Sequence, residues 1–178
     1  MRVAKTGNPD PVLSFIAVIK DSMDKEKENI GYTNGRWYTK WGATYYETED
    51  GEKLSGMQKI DGVYYYFSQK GVMQKTCFVE DGNNKYYFGN DGKLHTGWLE
   101  KWSAKYYFDE DGVMQTGFTL IDGKTYCFDD KGKLQINTWI TVGDDKYYAK
   151  GDGTMAQDET ITKWLKKYTF DAQGKLIK

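Results

Sequence analysis

The sequence predicts an all-β repeat, a solenoid of stacked β-hairpins preceded by one short α-helix. Three observations carry that prediction. Gly51, Gly71, Gly92, Gly112, Gly132, Gly153 and Gly174 follow one another at intervals of 20 or 21 residues. A tyrosine stands six residues before each of them, at Tyr45, Tyr65, Tyr86, Tyr106, Tyr126, Tyr147 and Tyr168. Aromatic residues make up 16% of the chain, with 15 Tyr, 8 Phe and 6 Trp, so the core must be aromatic rather than aliphatic. Self-similarity this strict marks an array whose units are stabilised by stacking on one another. Function must then lie on surfaces that many copies share, or in the segment that does not repeat, residues 1–43.

That segment carries the predicted helix. Val12, Phe15, Ile16, Ile19 and Met23 recur at helical spacing. Asp10 suits the N-cap and Pro11 the first helical position, while Lys25 and Lys27 suit the C-terminal end and Gly31 is a late stop. An amphipathic helix is expected over residues 11–27, as a cap on the stack or the remnant of another domain. The apolar run lacks the small-x-small cleavage site of a signal peptide. It is also far shorter than the ~20 residues of a membrane span.

Residues 44–178 are read as seven tandem repeats. In the copy around Tyr106, Lys105–Phe108 is an aromatic strand, Asp109–Gly112 a turn whose glycine supplies a positive φ, and Val113–Thr116 the return strand. Alternation puts Tyr106 and Phe108 on one face and Tyr107 on the other. An apolar residue stands two positions after the glycine at Met73, Leu94, Met114, Leu134, Met155 and Leu176, and one position later in the first copy, at Leu54. A second turn, at Asp61-Gly62, Asp81-Gly82 or Asp122-Gly123, leads into the next aromatic strand. A lone hairpin is marginal in water, so the rings are expected to pave the interfaces between neighbours.

Several functions are disfavoured by composition. The net charge is −1, with both signs mixed along every repeat; no basic stripe exists for nucleic acid. Cys77 and Cys127 each replace an aromatic, in different columns, and are expected to be free thiols. His95, the only histidine, fills a column otherwise held by Gln74, Gln115 and Gln135, so no Cys–His nucleophile pair is in view. Asp109, Glu110 and Asp111 lack the acidic twelfth position of a calcium loop and read as solvated turn residues. A unique acid/base pair is implausible in a repeated surface. No catalytic residue, metal or cofactor is expected.

Two stretches show the repeat most clearly: Thr116-Gly117-Phe118 with Ile121-Asp122-Gly123-Lys124, and Gly56-Met57-Gln58-Lys59-Ile60-Asp61-Gly62 followed by Tyr65-Tyr66-Phe67. They resemble the cell-wall-binding repeats of bacterial surface proteins, autolysins, phage lysins, glucan-binding enzymes and large clostridial toxins. The resemblance implies a superhelix of hairpins with ligand sites between consecutive ones, on a secreted or wall-associated protein. Its choline-binding branch places Trp before the Tyr-Tyr pair, because an aromatic box holds a quaternary ammonium. Here that column reads Thr44, Tyr64, Lys85, Lys105, Thr125, Lys146 and Lys167. A lysine there repels the cation, and the lysine-bearing form resembles the glucan-binding and toxin-type repeats, which implies carbohydrate. Rings stack on a pyranose face, and Lys, Gln and Asp bond its hydroxyls.

The array is uneven. Gly56, Gly97 and Gly117 have counterparts in Thr76, Asn137 and Asp158; Trp139 is displaced by one residue relative to Trp98; Ala149 and Thr169 interrupt the aromatic columns. The most regular stretch is Tyr86 to Phe128. The expected glycan-binding residues are therefore Tyr87, Trp98, Tyr107, Phe118 and Lys105. At the front, Ile16-Ala17-Val18, Gly31-Tyr32-Thr33 and Tyr38-Thr39-Lys40-Trp41-Gly42 resemble the opening of a CHAP-type lysin domain. Asn34–Tyr38 also reads as a degenerate first repeat. The function expected is a non-catalytic module attaching to bacterial cell-wall or surface glycan. The alternatives are a choline- or teichoic-acid-binding module, a structural spacer or self-associating homodimer, and a truncated lysin fragment.

Overall fold

The structure, a computed structural model, describes residues 31–177. The helix expected over residues 11–27 lies outside them. Among the described residues the chain is all-β, and fourteen strands form seven two-stranded hairpins in sequence order. β1 (Arg36–Lys40) pairs with β2 (Ala43–Glu47), β3 (Gly56–Ile60) with β4 (Val63–Phe67), and β5 (Cys77–Asp81) with β6 (Asn84–Phe88). β7 (Gly97–Lys101) pairs with β8 (Ala104–Phe108), and β9 (Gly117–Ile121) with β10 (Lys124–Phe128). β11 (Thr138–Val142) pairs with β12 (Asp145–Ala149), and β13 (Thr160–Lys163) with β14 (Lys166–Thr169). The first hairpin thus takes in Arg36–Lys40, ahead of residue 44. No helix among the described residues is long and apolar enough to cross a membrane.

The hairpins close at the second turn, not at the glycine with the regular spacing. Gly97 faces Phe108, Trp98 faces Tyr107 and Lys101 faces Ala104, leaving Trp102-Ser103 as a two-residue tip. Both tip residues have positive φ, 51° and 60°, as do Asp61-Gly62 and Asp122-Gly123. Such type I′ tips match the twist of paired strands. The expected return strand at Val113–Thr116 reduces to a single bridge from Phe108 to Met114. Its turn is built differently: Asp109 Oδ1 accepts from the Asp111 and Val113 amides at 3.1 and 2.8 Å, and the Gly112 amide donates to the Asp109 carbonyl at 3.0 Å. A side chain that mimics a backbone turn reverses the chain without extending a ladder. The regularly spaced glycines therefore lie in connectors between hairpins.

Their spacing has a packing cause as well as a conformational one. A Cβ on Gly132 would stand 2.5 Å from Met114 Sδ, one on Gly92 2.7 Å from Met73 Sδ, and one on Gly153 2.6 Å from Leu134 Cδ2. Each glycine is a notch for the apolar residue of the preceding connector. The same apolar residues carry the backbone stitch between repeats. The amides of Met114, Leu134, Met155 and Leu176 donate to the carbonyls of Lys85, Lys105, Thr125 and Lys146, each at 2.8 Å. The column before the Tyr-Tyr pair thus supports the stack through its carbonyl, and its side chain is free to vary.

The chain divides into two compact units: the described residues up to Cys77 with Phe88–Leu94, and Phe78–Tyr87 with the residues from His95 onward. In the first, Tyr46, Leu54, Ile60, Phe67 and Met73 form the core. In the second, the cores are local to each hairpin interface, as with Tyr87, Tyr106, Phe108 and Met114. Both cysteines are free. Burial pushes both thiols up in pKa, with Asp129 adding to the effect at Cys127.

Candidate ligand site

The aromatic residues gather into clusters at hairpin interfaces, and three of them share one geometry. Trp98 on β7 meets Tyr107 across the strand pair at 5.1 Å between ring centroids, then Tyr126 and Phe128 of the following hairpin at 5.0 and 5.9 Å. Trp139 meets Tyr148, Tyr168 and Phe170 at 5.0, 4.9 and 5.9 Å. In the first unit, Trp37 meets Tyr46, Tyr65 and Phe67 at 5.0, 4.8 and 6.0 Å. In each, the tyrosines meet the indole edge to face, the arrangement that ring quadrupoles favour. The three indoles are 39%, 38% and 40% exposed in chain order, so each offers part of a ring to a ligand while the rest is held.

Local sequence explains why these rings converge. A tryptophan one residue into the first strand lands opposite the second tyrosine of its own hairpin. The next hairpin supplies the alternate Tyr and Phe. Trp139 falls into this pattern because Asn137, at φ 48°, absorbs the extra residue of its repeat, so that Trp139 faces Tyr148 as Trp98 faces Tyr107. The remaining interfaces are variants. Phe78 packs with Tyr87, Tyr106 and Phe108 at 5.1, 5.3 and 6.3 Å. Phe118 faces Cys127 and approaches Tyr147 at 5.0 Å.

The expected site residues divide accordingly. Trp98 and Tyr107 lie together, with Trp98 half-exposed and Tyr107 half-buried. Phe118 is exposed but belongs to a different, poorer cluster. Tyr87 is buried, and its hydroxyl accepts from Lys101 Nζ at 3.2 Å, so its ring is a wall of the Phe78 cluster rather than a free surface. Lys105 shares a strand face with Tyr107 and pairs with Glu100 at 2.7 Å, and Lys85 pairs with Glu80 at 2.9 Å. The repulsion of a cation expected from this lysine column is therefore offset at Lys85 and Lys105 by a carboxylate on the same face, whereas Lys146 and Lys167 face Thr141 and Thr162. What remains is the missing ring.

Sequence reasoning missed Trp37, Trp139, Tyr126 and Phe128 as members of these clusters. The signal was present for Trp37 and Trp139, since each precedes a Tyr-Tyr pair by the same interval as Trp98 does once strand pairing is counted from the Tyr-Tyr pair backward. His95 belongs to the packing: its Nε2 lies 3.1 Å from the Trp98 carbonyl oxygen and its ring stands edge-on to Tyr87 and Phe108. Burial, with Asp91 and Asp61 nearby, pushes the Tyr65 hydroxyl up in pKa.

Known proteins carry the same repeats. Residues 54–98 and 95–139 match the choline-binding repeat, and residues 137–155 match a cell-wall-binding repeat, so that together the matches span more than half of the chain. Choline binding protein F from Streptococcus pneumoniae superposes with a TM-score of 0.70 at 27% identity, over 80% of this chain and 47% of that one. CbpJ from Streptococcus pneumoniae TIGR4 superposes with a TM-score of 0.71 at 27% identity, over 79% of this chain and 51% of that one. Glucosyltransferase-I of Streptococcus downei is 36% identical over 58 residues, and glucosyltransferase-S of Streptococcus mutans 40% identical over 62 residues. Those segments are 32% and 34% of this chain, and about 4% of each enzyme. The chain thus spans about half the length of the two structures and a small part of the enzymes.

Proposed function

The chain belongs to the family of choline-binding and cell-wall-binding repeats, and from that premise we propose that it is a non-catalytic module holding bacterial cell-wall or surface glycan, outside the cell. The recurrence of one four-ring cluster at Trp37, Trp98 and Trp139 carries this reading. A core built only for stability has no need to leave the same indole part-exposed at three interfaces. A part-exposed ring is a stacking wall for a pyranose. Beside Trp98, the exposed Glu100–Lys105 pair offers an acceptor and a donor for hydroxyls. The relatives named for glucosyl transfer favour a glycan through the 58- and 62-residue segments they share with this chain. Single clusters bind weakly, and several on one chain supply avidity.

A choline-bearing wall polymer is the second reading. It is favoured by the edge-to-face rings, whose corner suits a compact ammonium, and by the Glu100 carboxylate that neutralises Lys105. One experiment separates the two. Retention on purified cell walls and on dextran is measured with and without excess free choline. Retention on dextran that choline leaves unchanged supports the glycan. Retention on walls alone, abolished by choline, overturns it in favour of choline.

A further inference from the structure

We propose that the groove beside Trp102 is a second saccharide subsite, sharing Lys105 with the Trp98 cluster and taking one neutral pyranose unit. The proposal rests on the glycan reading above. Trp102 and Ser103 form the tip of the β7–β8 hairpin, at φ 51° and 60°. Asn-Gly or Asp-Gly fits such a tip without strain, and Asp61-Gly62 and Asp122-Gly123 do so here. A bulky ring in the left-handed region is disfavoured, and folding of the hairpin does not require it. Yet Trp102 stands there 73% exposed. Its orientation is held: Phe78 lies 5.9 Å from its ring at 32°, and Lys101 Nζ lies 4.7 Å from its centroid.

The ring borders a groove of about 440 Å³ lined also by Lys105 of its own hairpin and, from the connectors after the next two hairpins, by Lys133, Gln135, Asp129 and Asp152. The carboxylates are set in place by their own turns. Asp152 Oδ1 accepts from the Thr154 amide and hydroxyl at 3.0 and 2.7 Å, and Asp129 Oδ1 from the Lys131 and Lys133 amides at 2.9 and 2.8 Å. With Lys105 already paired to Glu100 at 2.7 Å, Lys133 faces two carboxylates in the lining, and the groove has no surplus of ammonium for a phosphate. A flat indole beside amide, ammonium and carboxylate groups is the chemistry of a sugar with an apolar face and a rim of hydroxyls. The corresponding groove at the β5–β6 tip, about 570 Å³ and bordered by Glu80, Asn84, Lys85, Gln115 and Thr116, has Gly82-Asn83 at its tip and no ring. It has the polar rim without the stacking wall.

The test is Trp102→Asn, with dextran and purified walls as probes. Asparagine accepts the left-handed tip, so the variant is expected to unfold at a higher temperature than the parent. Its dextran affinity is expected to fall about fivefold, at the low end of what losing a ring contact costs. A variant that is stabilised and binds both probes as tightly as the parent overturns the proposal. If Trp98→Ala then still weakens binding, the cluster reading survives without this subsite. If Trp102→Asn weakens binding and Trp98→Ala does not, the subsite stands and the cluster reading falls. A parent protein that binds neither probe overturns both.

Discussion

The Trp98 and Phe118 clusters follow the same register one hairpin apart and arrive at different surfaces. Trp98 has Tyr107 across the strand pair and Tyr126 and Phe128 behind it. Phe118 has Cys127 across the strand pair, and Ala149 stands where the following phenylalanine would be. The backbone stitches at the two interfaces are nevertheless the same length, 2.8 Å from Leu134 to Lys105 and from Met155 to Thr125. Stacking and ring content are therefore separable. The first resides in main-chain bonds and glycine notches, and the second is free to set how well each interface holds a ligand.

The largest expected effect breaks the stack itself. Gly132→Ala places a methyl group against Met114 at a φ of 74°, and is expected to cost about 3 kcal/mol from overpacking and left-handed strain together. Gly123→Ala shares the φ of 74° but meets open space, and should cost only about 1 kcal/mol. Denaturant midpoints for the pair isolate the notch; equal costs would refute it. Next comes binding. Trp98→Ala should weaken wall retention about tenfold, against no more than about twofold for Phe118→Ala. Equal losses would erase the distinction between the clusters. A gain is expected from the double variant Cys127→Tyr with Ala149→Phe, which rebuilds the Phe118 cluster on the Trp98 pattern. The two changes should couple by about 1 kcal/mol in a stability cycle, and additivity would count against a shared cluster.

The smallest effect is electrostatic. The Thr154 hydroxyl and amide hold the Asp152 carboxyl below its ordinary pKa, with Lys150 adding to this. A depressed folded pKa gives stability that is present above the unfolded value, about 3.9, and is lost as pH falls through the folded one. Asp152→Asn should therefore be slightly less stable than the parent at neutral pH and indistinguishable from it in strong acid, as read by thermal melts across that range.

The period, the aromatic core and the free thiols were legible because they depend on what recurs. The hairpin register was not. Asp109-Glu110-Asp111-Gly112 has the composition of a hairpin turn, whereas the true tip at Trp102-Ser103 has none of the residues that announce one. The displacement of Trp139 was visible, but its cancellation by a left-handed Asn137 was not, because a chain slip absorbed in one φ leaves no mark on composition. Tyr87 illustrates the same limit. It occupies the column of Tyr107, yet it is buried beneath Lys101, a neighbour that only the folded interface supplies.

The notch at Gly92, Gly132 and Gly153 also bears on how such a chain lengthens. There the glycine is a socket for Met73, Met114 or Leu134 of the connector before it, and the unit of Gly132 carries both a socket, filled by Met114, and a plug, Leu134, for the socket at Gly153. A tandem duplication of that unit in the gene thus inserts a segment that fits on both sides without compensating changes. Copy number can then drift while the join stays constant, and individual copies can trade a ring for a cysteine or an alanine without breaking the line.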